Sequence, residues 1–467
     1  MKRFDPSSFL PLKPRLSVMP QHGEAWSGKL ANWWAGTTIA APTSEAAAPA
    51  SECVKNIRRL VSEGVEPLND YYVGQTQWAR QWVRTILGLP ESQPVLLDAS
   101  GTASILLVTR MLAHVAYAQG AQSFFTITTD EGGSLVPATL RGYDPNEIVG
   151  TMFQPNTGLF YESMPALPYP PMQGLPSQMV HLSKLDNGQL VTELKRVVLD
   201  LYALGHRHGV LVLPHVVKSG RLLPARQVAA LVEEFKGKGL NLYFVLDDVQ
   251  GFCRTDAESI ANPLAWCDAY ILGSSKALGG LMIASASAVR SELVERFVAL
   301  AESRKLTPEV KCVAHFQFEP QWEARLPDAL MKRGAVSLPE VVAMSAAMYW
   351  HYFRGAGQTY AQRRCHQIEL VWGLRARVVA ALKQVEGVEI LENTAERPIV
   401  PSIVSFKVDT KVSPAALKQA LQQGTPAITT GAPIGRYLRL DIPEYREMPS
   451  PELLAKRLSA LVQKANT

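Results

Sequence analysis

The segment Asn241–Asp256 reads NLYFVLDDVQGFCRTD, in which an apolar stretch runs directly into two adjacent aspartates. A buried strand that ends at solvent would explain this pattern, since short strands commonly end in polar residues. A parallel strand that delivers a carboxylate to a ligand site would explain it too, because open α/β sheets bind ligands at the carboxyl ends of their strands. The surrounding sequence distinguishes the two interpretations.

Apolar runs of strand length alternate with helical patterns around this segment. VLVLPHVV (210–217) and DAYILGSS (268–275) are typical of buried strands, and ARQVAALVEEFKGKG (225–239) is typical of a helix. Such alternation implies right-handed crossovers, so the sequence predicts an α/β domain with a mostly parallel sheet covered by helices on both faces.

Three regions are predicted along the chain. Residues 1–75 are expected to form an irregular N-terminal arm with a short helix that begins near Ser51, whose hydroxyl could cap it. Residues 76–310 are expected to form the large α/β domain. Residues 311–467 are expected to form a smaller α+β domain, since long helices precede the short strands IVSFKV and YLRLDI there.

Composition narrows the class of protein. The chain has 467 residues, 47% hydrophobic and 19% charged, as in ordinary globular proteins. A net charge of +5, spread along the chain, predicts no nucleic-acid partner. The five cysteines form no CxxC pair, and no apolar run resembles a signal peptide or a membrane span. We therefore expect a soluble cytoplasmic protein without disulfides, metal site or membrane association.

Lys276 follows a predicted strand in ILGSSKALGG. A surface-loop lysine is the simpler interpretation, but a lysine at the edge of a core is costly unless it is paired or used covalently. Ser100, Gly101 and Thr102 lie between a strand and a long helix, where free N–H groups could bind an anion. A nucleotide site is disfavoured, because no Gly-x-x-x-x-Gly-Lys-Ser/Thr loop accompanies the two aspartates.

The order of these motifs resembles the pyridoxal-phosphate (PLP) enzymes of fold type I, the aspartate aminotransferase superfamily. The resemblance implies a seven-stranded sheet, PLP as cofactor and a homodimer with its active site near the interface. It implies that Lys276 forms a Schiff base with the cofactor, that Asp247 pairs with the pyridine nitrogen, and that Gln250 faces the ring hydroxyl. Ser274 and Ser275 are the next candidates for phosphate contacts.

VLVLPHVVKSGRLLP and YLRLDIPEYREMPSPELLAKRL resemble the aminotransferase class V branch. On this match His215 corresponds to a histidine at the cofactor site. Arg439 would bind the substrate α-carboxylate, a task suited to the planar guanidinium, with Arg436 as the alternative. A satisfied structural histidine and an edge-strand salt bridge are the simpler interpretations of His215 and Arg439.

The sequence departs from this family at several positions. Gly132 stands where a histidine stacks on the cofactor ring, and Ala335 replaces a phosphate-binding threonine, for which Ser337 could substitute. The HVVKSG turn is one residue shorter than the usual class V turn, so the match assigns no role to Lys218. It could approach the phosphate or the substrate, or be solvated.

These motifs leave the reaction open. An aminotransferase or a Cβ/Cγ lyase acting on an amino acid is favoured, and a desulfurase is disfavoured because its segment lacks a cysteine. LDDVQGF and SSKALGG also resemble the α-oxoamine synthases, so an acyltransferase is an alternative. A non-catalytic binding protein of the same fold is another.

Overall fold

A computed structural model gives the fold of the chain. It describes residues 44–98, 101–130, 177–182, 185–256, 259–274, 276, 278, 284–303, 318–326, 338–352, 360–409, 412–423, 436–442 and 450–466. The helices in these ranges are α1 (Ser44–Glu63), α2 (Val65–Leu87), α3 (Gly101–Ala118), α4 (Asn187–Ala203), α5 (Ala225–Lys236), α6 (Ser291–Glu302), α7 (Pro320–Glu323), α8 (Leu338–Tyr352), α9 (Tyr360–Leu382), α10 (Pro414–Gln423) and α11 (Pro451–Asn466). None of these helices is both long enough and apolar enough to cross a lipid bilayer.

Seven strands form the main sheet. They are β1 (Val95–Asp98), β2 (Phe125–Thr129), β3 (Ser177–Val180), β4 (His208–Pro214), β5 (Asn241–Asp247), β6 (Ala269–Gly273) and β7 (Ser285–Val289), in the order β1-β7-β6-β5-β4-β2-β3. Strands β6, β5, β4, β2 and β3 are parallel, whereas β7 runs antiparallel to both β1 and β6. The prediction of a mostly parallel, seven-stranded α/β sheet is confirmed.

Helices cover both faces of this sheet, as strand β5 illustrates. Its even-numbered residues Leu242, Phe244 and Leu246 pack into one hydrophobic core, and its odd-numbered residues Tyr243 and Val245 pack into the other. This alternation follows from the period of two in a strand. Helix α5 contributes to the first core, and helices α3 and α6 contribute to the second.

The C-terminal part has a sheet and core of its own. Strands β8 (Val388–Ile390), β9 (Ile403–Val408) and β10 (Leu438–Asp441) form an antiparallel sheet in the order β10-β9-β8. Its core includes side chains from α9, α10 and α11. Side chains of α8 instead lie in a core of the main sheet. The domain limits drawn from the sequence stay predictions.

The N-terminal region differs from its prediction. Helices α1 and α2 cover almost all of residues 44–87 and separate at Gly64, which has a φ of 130°. The prediction of irregular structure up to residue 75 is therefore wrong for residues 44–75, which are almost entirely helical. Ser51 caps no helix, because it lies inside α1 and its hydroxyl donates to the carbonyl oxygen of Ala47 at 3.0 Å.

Candidate active site

The two aspartates at the end of β5 have different surroundings. Asp248 is completely buried, and its carboxylate contacts one side chain just after β4 and one on β6. Its Oδ1 lies 2.9 Å from Nδ1 of His215, and its Oδ2 accepts a hydrogen bond from the hydroxyl of Tyr270. Because buried carboxylates need such partners, Asp248 is explained as a structural group that joins β4, β5 and β6.

Asp247 is the carboxylate that faces the candidate site. It is 7% exposed, and its Oδ1 accepts a hydrogen bond from the backbone N–H of Val249 at 3.1 Å. Burial raises the pKa of Asp247 to about 6, against the opposing effect of the positive charges of Lys276 and Lys218. Asp247 is thus a buried acid with two cationic side chains in its field.

The N-terminus of helix α3 closes one side of this site. A Cβ on Gly101 would lie 2.2 Å from a methyl carbon of Val249, and a Cβ on Gly273 would lie 2.9 Å from the other methyl. Only glycine therefore lets the start of α3 and the end of β6 approach the chain that follows Asp247. The predicted anion-binding turn and the predicted carboxylate are neighbours.

Gln250 and two threonines present unused hydrogen-bonding groups at the same edge of the sheet. The Nε2 of Gln250 is buried and has no hydrogen-bond partner among the described residues. The same holds for the hydroxyls of Thr128 and Thr129, at the carboxyl end of β2. Buried polar groups without partners are uncommon in native proteins and mark places where a ligand or water completes the structure.

Lys276 is half-buried just after β6. Burial lowers its pKa to about 8, with further lowering by the positive charges of Lys218 and Arg254, whereas Asp247 acts in the opposite direction. The charge of Arg439 also lowers the pKa of Lys276. The amine, the acid and three other cations therefore share one electrostatic environment, and the roles of Lys276 and Asp247 stay predictions.

His215 is held in place on three sides. Its ring contacts Asp248. Its backbone N–H donates to the backbone carbonyl oxygen of Asp247 at 2.8 Å, and its backbone carbonyl oxygen accepts a hydrogen bond from the N–H of Leu223 at 2.9 Å. These contacts explain His215 structurally, and its contact with a cofactor stays a prediction. Ser274 is buried beside the site, and its N–H donates to the carbonyl oxygen of Ala284 at 3.0 Å.

Arg439 and Arg436 differ in their exposure to solvent. Arg439 is 1% exposed on β10, and its Nη1 donates to the carbonyl oxygen of Lys218 at 3.1 Å. Arg436 is exposed before the strand begins. Arg439 is therefore the arginine that the small sheet directs toward the loop after β4.

Arg254 is a buried residue, with an electrostatic effect on Lys276, that the sequence motifs did not identify. Its guanidinium is fully buried and makes two hydrogen bonds to the carboxylate of Asp441, one of them 2.6 Å long, and one to the hydroxyl of Ser402 at 2.8 Å. Such paired geometry suits Arg and a carboxylate. In the sequence, the only trace of this ion pair is its acidic partner, Asp441, two residues after Arg439. No local pattern connects Asp441 to Arg254, because the two residues are far apart in the chain.

Other predicted contacts lie outside the described residues. These are Ser100, Ser275, Gly132, Ala335 and Ser337, and the side chain of Thr102 is not described.

Comparisons with known proteins agree with this architecture. No protein-family profile and no curated sequence matches the chain. Solved structures do match. A lysine-to-alanine mutant of C-DES, a cystine C–S lyase, with glycine covalently linked to its PLP cofactor, superposes with a TM-score of 0.64 at 13% identity, over 92% of this chain and 96% of that chain.

Two further solved structures have the same arrangement. An apo cysteine desulfurase from Thermococcus onnurineus NA1 gives a TM-score of 0.61 at 13% identity, over 93% of this chain and 94% of that one. A ureidoglycine–glyoxylate aminotransferase from Bacillus subtilis gives 0.57 at 12% identity, over 88% and 90%. At sequence identities this low, the structural superposition establishes the fold and nothing more specific. The prediction of the fold type I architecture is therefore confirmed.

Proposed function

We propose that this chain is a PLP-dependent enzyme that acts on an amino acid, with Lys276 as its catalytic amine. The observation that carries the proposal is that a buried acid, Asp247, and an amine of lowered pKa, Lys276, act on each other electrostatically near the start of α3, where only glycine fits at position 101. C-DES, whose solved structure has this fold, holds PLP.

The residues present fit this cofactor in three respects. Asp247 is a buried carboxylate, whose ionised form would gain from a cationic ring beside it. Gln250 has a buried N–H group without a protein partner among the described residues, as a donor to a ring hydroxyl would need. Gly101 lets the N-terminus of α3, where helix N–H groups favour a phosphate, lie close to Val249 in the segment that follows Asp247.

Each side chain then has a separate task. PLP, when bound, supplies an aldehyde that reacts with amines and a cationic ring that withdraws electrons from the amino-acid Cα. Asp247 holds the positive charge at the ring nitrogen. Arg439 binds the α-carboxylate through its planar guanidinium and so orients the Cα.

Lys276 would take up the Cα proton at Nζ, which requires a neutral amine. A pKa of about 8 leaves much more of the amine neutral near pH 7.5 than the ordinary value of 10.5 would. Burial and neighbouring positive charges thus prepare this lysine as a base near neutral pH.

An aminotransferase or Cβ/Cγ lyase reaction is our specific proposal. It is supported by the class V motifs around His215 and Arg439, and by solved structures of the same fold described as a lyase and an aminotransferase. An α-oxoamine-synthase-like acyltransferase would require an acyl thioester as second substrate. A non-catalytic binding protein would bind PLP without responding to amino acids.

A spectroscopic experiment tests the proposal. Purified protein reconstituted with PLP should show a near-visible absorption band that disappears in Lys276→Ala and persists in Lys238→Ala, a control at an exposed lysine. Amino acids should change the band, and product analysis should then show a keto acid or an elimination product. Equal bands in both variants would refute the role of Lys276, and a band that no amino acid changes would favour the non-catalytic alternative.

We also propose a cytoplasmic homodimer. The exposed aromatic side chains of Trp78 on α2 and Tyr349 on α8, which both contact Trp82 with tilted rings, support an association surface there. Light scattering of the purified protein at several concentrations should give twice the chain mass, and a monomer throughout would refute the dimer.

A further inference from the structure

A buried ion pair joins the turn after β5 to the last strand of the small sheet. The guanidinium of Arg254 makes two hydrogen bonds to the carboxylate of Asp441, and its Nη1 also donates to the hydroxyl of Ser402 at 2.8 Å. The side chain of Arg254 is fully buried, and that of Asp441 is 7% exposed. Water therefore screens this pair little, and its two parallel hydrogen bonds fix the relative orientation of the two groups as well as their distance.

The turn that carries Arg254 has a defined backbone path. The N–H of Arg254 donates to the carbonyl oxygen of Gly251 at 2.7 Å. Cys253 has a φ of 69°, a left-handed conformation that a residue other than glycine rarely adopts unless its surroundings impose it. The segment follows Asp247 and includes Gln250, so a short, ordered stretch of chain connects the proposed cofactor contacts to the ion pair.

Strand β10 presents Asp441 and Arg439 on the same face. Side chains alternate along a strand, and Leu438 and Leu440 pack into the small core, so the two charged side chains point away from that core. Both are buried, and the Nη1 of Arg439 donates to the carbonyl oxygen of Lys218 at 3.1 Å. One short strand thus carries the proposed carboxylate-binding arginine and the acid of the buried pair.

Two contacts at neighbouring positions hold β10 against segments of the large sheet. Arg439 binds the loop after β4, and Asp441 binds the turn after β5, about 7 Å further along the strand at a spacing of two residues. Loss of the second contact would let this end of β10 shift, and a displacement of about 1 Å at a substrate-orienting group can cost about a hundredfold in rate. The charges of Arg254 and Arg439 both lower the pKa of Lys276, so both arginines act on the candidate amine.

We propose that the Arg254–Asp441 pair is a positioning device for the proposed reaction, which holds Arg439 where it can bind the α-carboxylate of an amino acid. The inference rests on the proposed function, in which Asp247 serves the cofactor and Arg439 binds that carboxylate. Arg254 and Asp441 act through Arg439 and do not themselves touch the substrate. The pair therefore determines how strongly the protein prefers an amino acid over the amine that lacks its carboxylate.

Binding of matched ligands to the holoenzyme tests this inference. L-Alanine and L-serine would be compared with ethylamine and ethanolamine, which lack only the α-carboxylate, by titration of the cofactor absorption. The wild type should bind the amino acids about tenfold or more tightly, the effect of one charge-assisted hydrogen bond. Asp441→Asn should reduce this preference to less than about threefold. The control Asp200→Asn, which breaks an exposed pair with Arg196, should retain it.

A second variant removes the pair without leaving a buried charge. Arg254→Met combined with Asp441→Leu replaces both partners by apolar side chains, and such replacements are often neutral for stability. This double variant should unfold in urea as the wild type does and should still lose the preference. Arg439→Met added to Asp441→Asn should change the preference by less than about a further twofold, because both changes act through the same guanidinium.

Crystal structures of the variants supply a readout that needs no turnover. In Asp441→Asn the Arg439 guanidinium should leave the carbonyl oxygen of Lys218, and in Asp200→Asn it should stay. A preference that survives in either pair variant, or an Arg439 guanidinium that stays in place in both, would overturn the inference. A wild type without preference would overturn the inference and the role of Arg439 together. An absorption band unchanged in Lys276→Ala would instead refute the role of that lysine, and the position of Arg439 would still decide the inference.

Discussion

Replacing Asp247 with asparagine should stabilise the cofactor-free protein at neutral pH. Asparagine keeps the shape of the side chain, and its amide oxygen can still accept the hydrogen bond from Val249. It removes a charge that burial disfavours, since the pKa of Asp247 is raised from its ordinary value of 3.8 to about 6. A loss of folding stability of this kind is expected at a site that binds a cation, because functional sites often reduce the stability of the fold.

The direction and size of the effect follow from this pKa. Well below pH 3.8 the Asp247 carboxyl is protonated in both the folded and the unfolded chain, so the cost is absent. Between pH 3.8 and about 6 the unfolded chain releases its proton first, and the stability of the fold declines as the pH rises. Above about pH 6 the full cost is present, and it amounts to about 3 kcal/mol as an upper limit.

Urea unfolding followed by circular dichroism measures this effect. The free energy of unfolding of Asp247→Asn minus that of the wild type should rise by up to about 3 kcal/mol between pH 4 and pH 8. The exposed control Asp200→Asn should not reproduce that rise. Added PLP should stabilise the wild type more than the variant, because the cationic ring compensates the carboxylate. A pH-independent difference, or a variant less stable than the wild type at pH 8, would refute the reasoning.

Three other changes have defined outcomes. Gly101→Ala should weaken PLP binding about tenfold, an effect of overpacking of about 1–3 kcal/mol. Val249→Ala should restore it in a fluorescence titration, and failure of that rescue would contradict the close approach of the two residues. Asp441→Asn should lower the free energy of unfolding by about 3 kcal/mol, since it leaves the buried charge of Arg254 without its carboxylate. In an Arg254→Met background the same change should cost much less, and equal costs would argue against the pair. Burial lowers the pKa of His351 to about 3, so the stability that depends on its neutral form is complete above pH 6.5 and is lost as the pH falls toward 3. An acid-unfolding series should therefore show a shallower loss for His351→Gln than for the wild type, and parallel curves would contradict this.

Several features of the fold could be predicted because their signals are local. Apolar runs of strand length predicted the parallel strands β4, β5 and β6, whose carboxyl ends lie at one edge of the sheet by topology. Asp247 ends β5 and Lys276 follows β6, so both residues are at that edge, whereas the parallel strand β3, which reads SQMV, was not predicted. Strand β7, which reads SASAV, was not predicted, because small residues have weak strand propensity and pairing with β1 and β6 decides its conformation. Helix α1 was underestimated, since its Ala-rich sequence contains Pro49 and resembles a loop.

The sequence by itself determined the order of the motifs, and therefore the α/β sheet, the carboxyl edge and the candidate amine and acid, because each depends on neighbouring residues in one segment. Only the tertiary structure shows why Asp248 is not available, since Tyr270 and His215 come from other segments to contact its carboxylate. It also decided that Arg439 is buried beside Lys218, and that Asp441 neutralises Arg254. These contacts join residues far apart in the chain, and burial and charge act through space rather than along the sequence.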